Sequence, residues 1–233
     1  MTPINQHKNR LNWQHFNGTR VVVAAFGIWC GLTGIIAGFF EILQGSIAPD
    51  SLVISYIGPN YSMADDSTYF AVTLIPNFLL TGILAIIVSS LVIIWSVGFV
   101  HKKYGVTLLF ILSVIQMLVG GGWVIDLGII TCILATRINK PLNWWRSHLP
   151  IRFRIWLAKL FPFMLIIYSV VAISMNVFSI LGVNNVVLLN YIEILAAVMF
   201  IPILLMTFGG LAQDIQKQRK IDQESEAVEI IVS

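Results

Sequence analysis

Residues 105–139 read GVTLLFILSVIQMLVGGGWVIDLGIITCILATRIN, an apolar run of 35 residues interrupted near its middle by Gly120, Gly121 and Gly122. At about 1.5 Å rise per residue, a single helix over this run would be roughly 50 Å long, well beyond the roughly 30 Å of a hydrocarbon core. Successive glycines each disfavour helix by about 1 kcal/mol relative to alanine and take positive φ readily, so three together suit a tight reversal. The run is therefore expected to fold as a hairpin of two short segments, 106–119 and 123–136. Each arm either spans the membrane or enters and leaves it from one side.

The flanking sequence supports a membrane setting. Of the 233 residues, 58% are hydrophobic and only 11% charged, with mean hydropathy +0.87. Soluble domains average about 25% charged residues, so no sizeable soluble domain is expected. The expected architecture is an all-α polytopic bundle of six spans: 21–43, 76–100, 106–119, 123–136, 156–181 and 186–212. A cytoplasmic segment 1–20 precedes the domain 21–212, and a cytoplasmic tail 213–233 follows it. The first apolar run could in principle be a cleaved leader ending near Ser46-Ile47-Ala48, but it is longer than a usual leader core and reads as a span. Pro76 suits the first helical position of span 2, and Pro202 should kink span 6. Residues 51–57 have the composition of a short strand, and 182–185 that of a turn.

Charge orients the bundle. With the central run folded as a hairpin, all 14 Lys and Arg residues fall on one side. With one span there, they would divide five against nine. The positive-inside rule then places both termini in the cytoplasm of a cell membrane. Six of these residues, Arg137, Lys140, Arg146, Arg152, Arg154 and Lys159, share one connection with Trp144, Trp145 and Trp156. That mixture suits a segment lying at the headgroup level against anionic lipid.

Within span 1, Gly27, Gly31, Gly34 and Gly38 recur every three or four positions and form one narrow helix face. Such a face admits a second helix at close range, either internal or from another copy of the chain in a homo-oligomer. Glu41 falls on the same face.

The polar groups expected inside the membrane are Glu41, Asn77, Gln116, Asp126, Asn176, Asn190 and Glu193, all in the outer halves of their spans. This suggests a polar cavity open to the outside. Glu193 lies about eight residues, roughly 12 Å, beyond the outer turn and is the deepest acid. An ionised carboxylate at that depth costs about 2.5–3.5 kcal/mol on insertion scales, and no Lys or Arg is available on that side. Glu193 and Asn190 are therefore candidate ion or ligand residues, or partners in an interhelical hydrogen bond. Glu41 and Asp126 sit near the outer interface, where water can solvate a carboxylate; Asp126 could also favour the helix start after the glycines.

No P-loop, His-Glu-x-x-His, Gly-x-Ser-x-Gly or Cys-x-x-Cys motif occurs. Cys30 and Cys132 lie in apolar spans and read as small apolar residues. The four histidines lie in cytoplasmic flanks, so no catalytic set, metal site or cofactor is expected, and nothing points to nucleic acid. Asn60-Tyr61-Ser62 matches a glycosylation sequon on the outer side.

The run from Gly31 to Gly45, GLTGIIAGFFEILQG, together with IPNFLLTGIL at 75–84 and the triple glycine, resembles a family of uncharacterised prokaryotic integral membrane proteins over roughly the first 140 residues. The resemblance implies a prokaryotic membrane protein and no particular activity. Some members carry a Glu-His pair where this chain has Ile36-Ala37, so any metal or proton role of that pair is missing here. Three classes of function stay open. The expected one is a non-enzymatic membrane subunit or lipid-interacting scaffold. A small permease or channel-like protein for a cation, proton or small solute is the alternative, and a membrane enzyme is the least supported.

Overall fold

The computed structural model describes residues 18–55, 70–122, 125–138, 140, 142–181 and 186–232. Among them, four helices are long and apolar enough to cross a membrane. These are α1 (Gly18–Gln44), α2 (Phe78–Ile94, continued by one π-helical turn over Trp95–Phe99), α6 (Ile151–Leu181) and the Ile194–Lys220 stretch of α7 (Val186–Val232). Between them lie α3 (Gly105–Leu118), α4 (Ile125–Ala135), a six-residue α5 (Asn143–His148) and two three-residue strands, β1 (Val53–Ser55) and β2 (Phe70–Val72). With 14 and 11 residues, α3 and α4 fall short of a hydrocarbon core if they stand straight. The leader up to residue 17, the sequon at Asn60 and the turn at 182–185 lie outside the described residues.

Several expected boundaries move. Pro76 is not the first helical residue of α2. The helix starts two residues later because Asn77, extended at φ −160°, accepts the Leu80 N–H on its Oδ1 at 3.1 Å and so acts as the N-cap. Helix α6 begins before residue 156, and α7 runs unbroken past residue 212. Helical structure continues through Pro202 and also through Pro162.

The glycine face of α1 is filled from within the chain by α2, which runs antiparallel to it. A methyl group on Gly27 would overlap Ser96, one on Gly31 the side chain of Ile93, and one on Gly38 the carbonyl of Gly82. A second copy could dock on this face only by displacing α2. The opposite face of α2 carries Ile83, Ile87, Leu91 and Ile94, each 42–54% exposed, while Thr81, Ser89 and Ser96 are fully buried. Large apolar residues outside and small or polar ones inside is the arrangement expected of a helix set in lipid.

The central run reverses as its glycines require. Gly120 and Gly122 adopt φ +86° and +78°, and the Gly121 N–H donates to the Gln116 carbonyl at 2.8 Å, closing the end of α3 as in a Schellman motif. Helix α4 then packs back on α3, with Gly128 against Ser113. A β-hairpin is stitched onto this turn. β1 pairs antiparallel with β2 in the register Ile54 opposite Ala71, Gly120 N donates to Val72 O at 2.9 Å, and Leu74 N donates to Leu118 O at 3.1 Å. The β1 strand was expected; its partner was not.

At the other end of the bundle, the start of α1 is capped by a residue 195 positions away. Asp214 accepts from Gly18 N at 2.6 Å, Thr19 N at 3.0 Å and Thr19 Oγ1 at 2.6 Å. A carboxylate there satisfies free N–H groups and meets the positive end of the helix dipole. Arg20 donates to Val97 O at 3.4 Å, and Gln218 donates to Lys140 O at 3.3 Å. The pKa of His101, between α2 and α3, is lowered by partial desolvation and then by the charges of Arg20 and Lys102. The start of α1, the end of α2, residue 140 and the α7 tail therefore share one end.

Replacing Asp214 with alanine is expected to lower stability by about 1–2 kcal/mol in chemical unfolding of the detergent-solubilised protein. Thr19→Ala on top of it should add little, because the partner of the Thr19 hydroxyl is already gone; full additivity would contradict the cap.

Candidate functional site

The position of Glu41 follows from three glycines. Gly34 and Gly38 let α1 approach α2, and Gly120 leaves a gap opposite Glu41. A Cβ built on Gly120 would strike the Glu41 carboxylate and the Thr81 methyl. Glu41 has no solvent exposure, and neither carboxylate oxygen has a hydrogen-bond partner. The β-hairpin lies over this region, with Ile54 and Ala71 packed beside Ala37 and Phe40 of α1.

Of the other buried oxygens in the same condition among the described residues, two lie on the helices that meet here. Ser89 and Gln116 are fully buried, and Ser89 Oγ and Gln116 Oε1 lack partners. The gap at Gly34 brings them together, since a methyl there would overlap both Ser89 Oγ and Gln116 Nε2 and would press on the Gly121 carbonyl. Gln116 is oriented by its amide nitrogen, which donates to Cys30 O at 2.8 Å. Ser89 departs from Ser90, Ser113 and Thr131, whose hydroxyls donate to carbonyls four residues back in their own helices. The Thr81 hydroxyl is engaged: it donates to Asn77 O at 2.8 Å and lies 3.1 Å from Thr73 Oγ1. The result is a buried polar seam along α1 beneath the Gly120–Gly121 turn, with the Glu41 carboxylate at Gly120 and the Ser89 hydroxyl beside the Gln116 amide nitrogen at Gly34.

An unsatisfied buried polar group costs about 1–3 kcal/mol, and a charged one more. No Lys or Arg occurs between Val21 and Val100 or between Tyr104 and Thr136, so the basic residues all lie outside the stretches that build the seam. Neutralisation of Glu41 must come from a proton or a cation. Among the described residues no three His, Cys, Asp or Glu side chains converge as a metal site.

The other expected site residues are not gathered around Glu41. Asn77 is occupied as the α2 cap, and its Nδ2 donates to Ser46 Oγ at 2.9 Å. Asp126 is exposed in the first turn of α4. Asn176 is half-buried, and its Nδ2 donates to Ala172 O at 2.9 Å. Asn190 and Glu193 belong to helical backbone, but their side chains lie outside the described residues. The expectation that water solvates Glu41 is overturned, because the glycine turn and the hairpin close over it. For the same reason the polar groups around Glu41 form a sealed seam rather than an open cavity. Ser89 was the residue least visible in the sequence; its signal is a serine within an apolar helix facing the glycine stripe of α1.

Among the expected lipid-facing basic residues, Arg137, Lys140, Arg146, Arg152 and Lys159 are exposed. Arg154 is a correction: it is only 7% exposed. It shares a helix face with Leu157 and Phe161, and that face packs on Gly209 of α7. Trp156 is exposed and stacks with Phe153 at 6.0 Å, whereas Trp145 turns inward onto Phe208 at 5.8 Å.

The fold and the seam define a helical protein of the membrane type, with the buried acid Glu41 held between two glycine-paired helices and a broken hairpin. Neither the known protein families, nor the curated proteins, nor the solved structures contain a match to this chain.

Gly120→Ala should cost roughly 2–5 kcal/mol, combining positive-φ strain with overlap on Glu41. Gly45, at φ +79° with open space around it, should cost only about 1–2 kcal/mol on the same change. Equal losses in thermal unfolding would show that the contact with Glu41 is unimportant.

Proposed function

We propose that this chain is a non-enzymatic multi-pass protein of a prokaryotic cell membrane that takes up a proton or a monovalent cation at Glu41. The observation that carries the reading is the fully buried Glu41 carboxylate with no partner on either oxygen. A group so costly to bury is expected where its neutralisation is used. Six apolar segments with both termini cytoplasmic are the topology that goes with it. That arrangement is supported by the shared end of Arg20, Lys102 and residue 140, and by the positive-inside rule.

Glu41→Gln keeps the shape and removes the charge. The parent protein is expected to unfold at a temperature that depends on pH and monovalent salt, and the variant to fold with unchanged or slightly higher stability and to lose that dependence. The same dependence in both proteins would refute the reading.

A second reading, association with anionic lipid, is favoured by the exposed basic residues beside exposed Trp156 and Phe153. Replacing Lys140, Arg152 and Lys159 with glutamine should weaken enrichment of phosphatidylglycerol around the protein by about 1 kcal/mol per charge removed, as read by brominated-lipid quenching of tryptophan fluorescence. Unchanged quenching would count against it.

A further inference from the structure

We infer that the start of α6 holds the phosphate of an anionic phospholipid, between the buried Arg154 cation and the positive end of the helix. The inference rests on the lipid reading above and gives it a specific site.

Arg154 is 7% exposed, and its Nε is buried without a hydrogen-bond partner. A buried acid can shed its charge by taking up a proton, but a guanidinium stays protonated under all ordinary conditions. Its charge has to be met by an anion. The neighbouring sequence supplies none, since residues 127–192 contain no Asp or Glu. On α7, Gly209 faces Leu157 and Phe161 while Gly210 faces Gly18, so Arg154 lies at the end of the bundle where α1 begins. Asp214, the acid of α7 at that end, is committed to Gly18 and Thr19. Asp222 follows Gly209 by 13 residues, about 20 Å of helix, whereas Arg154 precedes Leu157 by only about 4.5 Å. An anion from outside the chain is the remaining partner, and the residual exposure of Arg154 is where it enters.

The helix start adds to the same field. The Arg154 N–H donates to Pro150 O at 3.1 Å, the first backbone bond of α6, so the N–H groups of Ile151, Arg152 and Phe153 have no acceptor within the helix. The first turn holds no acid and two arginines, the reverse of what the helix dipole favours. Helical side chains lean towards the N-terminus, which carries Arg154 back over this turn. Phosphate groups bind helix starts of this kind through N–H groups and dipole together. The surroundings select a lipid over an ion from solution. Ile151, Phe153, Ile155 and Trp156 are 41–52% exposed around the same turn, and Trp156 stacks on Phe153. Apolar and aromatic side chains beside basic ones match a phospholipid, whose phosphate adjoins its glycerol and acyl chains.

The test uses the full-length protein in non-ionic detergent, stripped of lipid. Thermal unfolding is followed while phosphatidylglycerol, phosphatidylcholine or inorganic phosphate is added at constant ionic strength. Saturable stabilisation by phosphatidylglycerol is expected, with the apparent affinity lowered by about thirtyfold or more in Arg154→Gln. Arg152→Gln, which removes an exposed charge from the same turn, should lower it about fivefold or less. Arg154→Lys keeps the charge without the planar fork and should fall between the two. In the absence of lipid, Arg154→Gln should be as stable as the parent or more so, because it removes a buried charge that has no partner. A variant that unfolds earlier without lipid yet binds phosphatidylglycerol as the parent does would show a structural arginine and overturn the site. Equal losses from Arg152→Gln and Arg154→Gln would also overturn the site and leave diffuse attraction of anionic lipid standing. Indifference of the parent to phosphatidylglycerol would overturn both, and equal protection by inorganic phosphate would overturn the lipid as the source of the anion.

Discussion

Helices α1 and α2 can touch backbone to backbone only because glycine stands wherever their surfaces meet. Gly38 lies against the Gly82 carbonyl, Gly27 against Ser96, and a methyl at either position would force the pair apart. Apolar burial alone cannot drive such an approach in a bilayer, since lipid is as apolar as a leucine side chain; close van der Waals packing and polar contacts supply it. The depth of Glu41, the meeting of Ser89 with Gln116 and the seat of the glycine turn all depend on that short separation.

The same constraint explains the inverted distribution of side chains. Ile83, Ile87 and Ile94 of α2 face outward, while Ser89 and Ser96 face the glycines of α1. Most buried hydroxyls pay no penalty because they donate within their own helices. Ser89 and Glu41 have no such outlet, and they sit where two gaps in the backbone, at Gly34 and Gly120, coincide with the end of a broken helix. A native structure rarely leaves buried polar atoms without partners, so this seam stands apart from the rest of the interior.

The two ends of the bundle are built differently. One is tied by charge-assisted hydrogen bonds, with Asp214 capping α1 and the basic residues Arg20 and Lys102 close by. The other is tied by backbone pairing, through the β-hairpin, the Gly120 turn and the Asn77 cap. The seam lies beneath the second end, where a short two-stranded element is easier to displace than a packed helix.

Apolar run length and glycine placement were sufficient to predict the helices, the reversal at 120–122 and the small-residue face of α1, because these depend on local hydrophobicity and backbone freedom. The β1 strand and the clustering of basic residues were legible in the same way. Which acid is sealed from water was not. Periodicity placed Glu41 on a protein-facing surface but could not show that a turn 79 residues later and a strand at 70–72 would close over it. Nor could it show that Asn77 is used up as a cap or that Arg154 points into the bundle. In lipid both faces of a helix are apolar, so sequence pattern separates inside from outside poorly. Burial of a particular oxygen is decided only when distant segments pack, and that is a property of the tertiary structure.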